Sequence, residues 1–182
     1  LVGSEMCIRD SGSATAAFGH YIGGLQAYTP DLMLIYAPTV NSYRRYVAGS
    51  QAPTNVQWGH DNRTAGLRVP VSGPAARRVE NRLAGADANP YLSMAATLAA
   101  GLAGMEEGVA PTEPVVGNGY AQARGLPRTF DTAHAQMAAS VHAPRLLGER
   151  FVRGYLAVKA LEHDHYLNEI SAWERRYLLP QV

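Results

Sequence analysis

Residues 77–92 read R-R-V-E-N-R-L-A-G-A-D-A-N-P-Y-L, and within this one stretch the chain changes its period. Arg78-Val79-Glu80-Asn81-Arg82 has the two-residue alternation of a strand, which puts Arg78, Glu80 and Arg82 on one face. Asn89-Pro90 then pairs an amide that accepts from free backbone N–H groups with a residue whose missing N–H costs nothing in a first helical turn. A helix is predicted to open there. It runs to about Glu107, with Leu92, Ala95, Ala96, Ala99, Leu102 and Met105 as its apolar face.

Upstream, short alternating runs at Val56/Trp58 and Leu67/Val69, and the run 77–83, are separated by Gly, Pro, Asn and Asp. They predict strands of an antiparallel sheet. Ala14 to Ala27, with Phe18, Ile22 and Leu25 at helical spacing, predicts a helix that Pro30 stops, and Leu32 to Ala37 is a short buried segment of either type. Residues 108–127 are rich in Pro and Gly and suit a surface loop. Helices follow at about 131–139, 146–170 and 171–179. The order gives an α+β chain, an antiparallel sheet flanked by helices, without internal repeats.

The 182 residues suffice for one domain with a sizeable core or for a piece of something larger, and 47% hydrophobic residues with a net charge of +1 exclude a disordered chain. No run approaches the length of a membrane span. The single cysteine, Cys7, excludes a disulfide framework and points to a reducing cytoplasm. The first eleven residues, L-V-G-S-E-M-C-I-R-D-S, lack the pattern of a secretory signal and resemble translated adapter sequence, so residues 1–11 are read as a non-native scar.

Basic charge is almost wholly arginine: of 16 Lys and Arg residues only Lys159 is a lysine. Seven of the arginines (44, 45, 63, 68, 77, 78 and 82) lie between residues 44 and 82, against two acids, Asp61 and Glu80. A basic solvated face or a cross-neutralised strand accounts for such a cluster in its plainest form. One carboxylate between guanidiniums also suits a divalent metal beside phosphates, with Glu80 an oxygen ligand and the arginines on anionic oxygens. Aromatic residues among the arginines are few, and no nucleic-acid-binding signature or Gly-rich phosphate loop occurs. Glu162-His163-Asp164-His165 suggests a metal, but on a helix His163 and His165 point to different faces.

N-S-Y-R-R, A-P, N-R-T-A-G-L-R-V-P, R-R-V-E-N-R and A-N-P-Y-L-x-x-A-A, in this order and spacing, resemble the C-terminal part of the catalytic domain of a glutamine synthetase, from about Gly12 to the end of the chain. The resemblance implies a partial catalytic domain, residues 12–182, with the N-terminal β-grasp domain and the first half of the catalytic domain missing. It implies an ATP-dependent ligase that forms γ-glutamyl phosphate and then an amide, with Mg²⁺ or Mn²⁺, and a dodecameric parent. Arg45 then binds the glutamate α-carboxylate, Arg63 lies between glutamate and the ATP phosphates, and Arg68 and Arg78 contact the nucleotide. Glu80 is a metal ligand, and Arg82 serves glutamate and the transferred phosphoryl group. Arg44 and Arg77 are read as arginines that pair across the sheet.

Two departures from the family pattern matter. Gln51, in G-S-Q-A-P, stands where glutamine synthetases proper carry a glutamate that helps bind and deprotonate ammonium, and an amide is no general base. A lysine the family often has near Ala75 is absent. Ala84 to Leu92 is similar to the γ-glutamylputrescine and γ-glutamylpolyamine synthetase branch, which implies a polyamine-type substrate. The alternatives are ammonia, as in glutamine synthetase proper, and a catalytically silent homologue with a binding or regulatory role.

Overall fold

The computed structural model describes residues 14–50, 52–123 and 125–181. Helix α1 (Ala16–Tyr28) opens at Thr15, whose hydroxyl accepts from Phe18 N. Pro30 ends it as expected, but the chain continues in a 3₁₀ turn, Thr29–Leu32, with proline at its start. The ambiguous segment that follows is helical: α2 (Met33–Tyr36) is buried along its whole length and lies in the core. A second 3₁₀ helix, Val40–Arg45, opens with a Thr39–Ser42 capping box.

Three short strands follow: β1 (Trp58–His60), β2 (Leu67–Val69) and β3 (Glu80–Asn81). The antiparallel pairing expected holds for β2 and β3, where Arg68 lies opposite Glu80. β1 and β2 instead run parallel, Trp58 beside Leu67 and His60 beside Val69, so the sheet is mixed. A connection of so few residues ordinarily makes a hairpin. Here Asp61 takes a left-handed conformation (φ 44°) and the buried Asn55 ties the loop from inside. Asn55 Nδ2 donates to the carbonyls of Thr64 and Gly119, and its Oδ1 accepts from Gln57 N and Gly66 N. These bonds fill the hydrogen-bonding capacity of one amide and fix the return path.

Helix α3 (Pro90–Glu107) starts where the sequence places it, with Asn89 Oδ1 accepting from the N–H groups of Tyr91 and Leu92. Of its expected apolar face Ala96 is buried and Leu92 and Met105 are half-buried against the core, but Ala95 and Leu102 are exposed. Ser93, Ala96, Ala100, Gly101, Ala103 and Gly104 face inward, while Leu98 and Leu102 are exposed. The reason is close packing on α1: a Cβ on Gly104 would lie 2.3 Å from Gly24 Cα, and one on Gly101 would lie 2.0 Å from the Tyr21 ring. Small residues let the two backbones meet, and bulky ones are turned away.

The Pro- and Gly-rich stretch is a loop with one 3₁₀ turn, Gly119–Ala121. Helix α4 (Phe130–Ala139) begins with a Thr129–Thr132 capping box. The long helix expected over 146–170 is broken at Gly148 (φ 88°) into α5 (His142–Leu147) and α6 (Glu149–Leu167). Helix α7 (Ala172–Tyr177) opens on Ser171 and buries no residue. No helix among the described residues is long and apolar enough to cross a membrane.

Candidate active site

Arg68 and Glu80 face each other across the antiparallel pair, so register alone brings guanidinium to carboxylate. Arg68 Nη1 donates to Glu80 Oε2 at 2.8 Å, and its Nη2 donates to Asp61 Oδ1 at 2.6 Å. Arg78 does not stand beside Glu80 on an extended strand. It folds over it, donating from Nη2 and Nε to Oε1 at 2.9 and 3.2 Å. Both oxygens of Glu80 are therefore engaged. Partial burial pushes the Glu80 carboxyl up, but the hydrogen bonds and charges of Arg68 and Arg78 outweigh it, and the group sits below the usual carboxylate range. The same bond with Glu80 holds Arg68 more firmly protonated.

Arg82, expected on the face of Arg78 and Glu80, follows the end of β3, and its guanidinium donates to the backbone carbonyls of Arg63 and Ala65. Desolvation by the surrounding protein lowers its affinity for its proton. Arg63 lines a cavity of about 500 Å³ with His60, Asp61, Asn62 and the 114–117 loop. Arg45 reaches the end of β3, donating to Leu83 O at 3.1 Å and Arg82 O at 2.9 Å, with its guanidinium 4.8 Å from the Tyr46 ring centroid. Those two bonds leave other guanidinium N–H groups of Arg45 for a ligand. Arg45, Arg63, Arg68, Arg78, Glu80 and Arg82 thus converge on β2, β3 and their ends. Gln51 lies outside the described residues.

Asp61, Asn55 and Asn62 were not singled out by the sequence reading. Asp61 shares Arg68 with Glu80. Asn62 Nδ2 donates to Val115 O and Gly117 O while its Oδ1 accepts from Thr64 N and Oγ1, which pins the 114–117 loop beside Arg63. The one available signal was aspartate, a residue tolerant of positive φ, between a strand and an asparagine. Arg44, read as pairing across the sheet, lies on the 3₁₀ helix instead and lines a separate cavity. His163 stacks on Phe130 at 4.7 Å, whereas His165 is exposed.

The arrangement is an anion-binding surface with one carboxylate at its centre. A divalent cation needs about six oxygen ligands. Among the described residues no three His, Cys, Asp or Glu side chains group to hold a metal. Glu80, with both oxygens on guanidiniums, does not make a metal site by itself.

The chain belongs to the glutamine synthetase catalytic-domain family, whose model matches residues 3–178. It is 39% identical over 168 residues to a γ-glutamylethanolamide synthetase, GlnA4, of Streptomyces coelicolor, covering 92% of this chain and 36% of that protein. To the γ-glutamylputrescine synthetase PuuA of Escherichia coli it is 41% identical over 160 residues, 87% of this chain and 34% of PuuA. A solved structure described as apo GmaS without ligand superposes with a TM-score of 0.82 at 31% identity, covering 96% of this chain and 41% of that one. The chain therefore spans little more than a third of the length of these relatives.

Proposed function

We propose that this chain is the C-terminal part of the catalytic domain of an ATP-dependent carboxylate–amine ligase that makes a γ-glutamyl amide from a polyamine-type amine. In the first step a γ-carboxylate oxygen of glutamate attacks the γ-phosphorus of ATP, the bond to the bridging oxygen breaks, and ADP leaves. In the second the amine nitrogen attacks the acyl carbon, phosphate leaves, and the nitrogen loses a proton. Every reactant but the amine is an anion, so fixed guanidiniums aimed at one place stabilise substrates and moving charge alike.

Arg45 takes the glutamate α-carboxylate, Arg63 and Arg82 lie at glutamate and the transferred phosphoryl group, and Arg68 and Arg78 hold the nucleotide. Glu80 serves a divalent metal only together with oxygen ligands from residues outside this chain. The observation that carries the reading is the convergence of six motif residues on β2 and β3, with Glu80 clasped between Arg68 and Arg78.

The amine is argued from Gln51. Ammonium benefits from a carboxylate that attracts it and accepts its proton, and a glutamine offers neither. A longer amine gains binding along its chain that compensates at the reacting nitrogen. Relatives named for ethanolamine, putrescine and isopropylamine products or substrates, at 37–41% identity, support this choice beside others named glutamine synthetase at 32–37%.

The test is phosphate release by the enzyme that carries this chain, with saturating ATP and glutamate, across an amine series. Putrescine-like amines should exceed ammonia in kcat/KM, and Gln51→Glu should narrow the gap. Ammonia used as efficiently as every amine would assign glutamine synthetase proper. The full engagement of Glu80 by arginines favours a second reading, a silent homologue, which the absence of any amine-dependent phosphate release would establish.

A further inference from the structure

A second cavity, of about 430 Å³, lies apart from the arginine cluster, where the 38–41 turn and Arg44 face Phe130 and the α6 residues Glu162, His163 and Tyr166. Its size falls in the range of small-molecule sites. One wall is a column of nearly parallel rings: Phe130 and His163 are 4.7 Å apart and tilted by 25°, His163 and Tyr166 6.1 Å apart and tilted by 13°. Asp131 Oδ1 lies 3.4 Å from His163 Nδ1, beside the middle ring.

Two polar side chains at the cavity, Arg44 and Asn41, are uncommitted among the described residues. Arg44 and Asn41 are exposed, and their side chains make no hydrogen bond or ion pair with the described residues. Glu162, the acid in the lining, is already paired with Lys159 at 2.6 Å, so its charge is compensated. Successive residues of a 3₁₀ helix are turned by about 120°. Arg45 therefore faces the carbonyls of Arg82 and Leu83 while its neighbour Arg44 faces this cavity.

We propose that the cavity binds a planar aromatic or heteroaromatic monocarboxylate, its ring against the His163–Tyr166 wall and its carboxylate on Arg44 with Asn41 beside it. A guanidinium fork matches a carboxylate with two parallel bonds, and the face of a flat ring can meet the edges of stacked rings. A polyphosphate does not fit, since among the described residues Arg44 is the one uncompensated cation in the lining. A cationic ligand is repelled by the same group, and an uncharged apolar one leaves Arg44 and Asn41 desolvated without partners.

The test is a titration of the 182-residue chain with indole-3-carboxylate and benzoate, followed by NMR of the His163 ring and the Arg44 and Asn41 side chains. Saturable shifts with a dissociation constant on the order of 1 mM are expected. Benzamide, without the charge, and cyclohexanecarboxylate, without the flat ring, should each bind about tenfold more weakly. Arg44→Gln should weaken indole-3-carboxylate by about tenfold or more. Circular dichroism checks that each variant is folded, and Asn41→Ala repeats the test if Arg44→Gln is not. The absence of saturable shifts at these residues, equal binding of benzamide, or an affinity unchanged in a folded variant would overturn the proposal.

Discussion

At the scale of single residues, Glu80 stands between two roles, counter-charge for Arg68 and Arg78 or ligand for a cation, and each leaves a different trace. Because its folded-state pKa is lowered, its pairing stabilises the fold above the unfolded carboxylate value and is lost as pH falls through the folded one. Carboxyl NMR should place its titration below the ordinary glutamate value of about 4.3, and Arg68→Gln should raise it. In the complete enzyme Glu80→Gln keeps the size and loses the charge. A tenfold or greater rise in the Mg²⁺ needed, measured by calorimetry as well as by turnover, marks a ligand, and that rise is expected. An unchanged requirement with a lowered unfolding midpoint returns Glu80 to counter-charge. The arginines and Glu80 were legible because they lie in contiguous motifs, whereas Asn55 was not. Nothing local distinguishes it from an asparagine in any turn; its function is to satisfy carbonyls and N–H groups brought from residues 57, 64, 66 and 119 by the rest of the fold.

At the scale of elements, the α1–α3 contact is the case where period alone misleads. The sequence offered Leu92, Ala95, Ala96, Ala99, Leu102 and Met105 as an inward stripe. The structure keeps Ala96 buried and Leu92 and Met105 half-buried, but turns fully inward a stripe of small residues, because Gly24 and Gly104 let the helices approach to backbone contact. Gly24→Ala would put its Cβ 2.3 Å from Ala100 O and 2.6 Å from Gly104 Cα. Overpacking of this kind costs about 1–3 kcal/mol, against a gain of about 0.5–1 kcal/mol from alanine in a helix. Urea denaturation should show Gly24→Ala less stable by at least about 1 kcal/mol and Leu102→Ala within about 0.5 kcal/mol of the parent. The reverse order would favour the leucine stripe. A cap was legible where the closing bond is local, as at Asn89. The parallel pairing of β1 with β2 was not, because a short connection between two alternating runs ordinarily signals a hairpin.

At the scale of the molecule, helices pack around α2 to form the core and the small sheet gathers the arginines at one side. Binding and turnover therefore separate. Arg68 and Arg78 lie on β2 or beside β3, so on the roles proposed for them a triphosphate would bind there without metal, in competition with Asp61 and Glu80. Catalysis asks more: a divalent ion needs several oxygens, and the described residues group no set of three metal-ligating side chains. Tyr91, Met94, Leu98 and Leu102 also leave an exposed apolar stripe along α3, of the kind that marks an interaction surface. The 182-residue chain alone should accordingly bind a metal-free triphosphate weakly. That affinity should fall as salt is raised and fall further in Arg68→Gln, while amine-dependent phosphate release stays at background with Mg²⁺ or Mn²⁺ present. Calorimetry and a phosphate assay on one preparation read both halves. Turnover by this chain would show that it assembles a metal site from its own residues and overturn the division of labour. Absent triphosphate binding would instead remove Arg68 and Arg78 from the nucleotide and leave them as partners of Glu80 and Asp61.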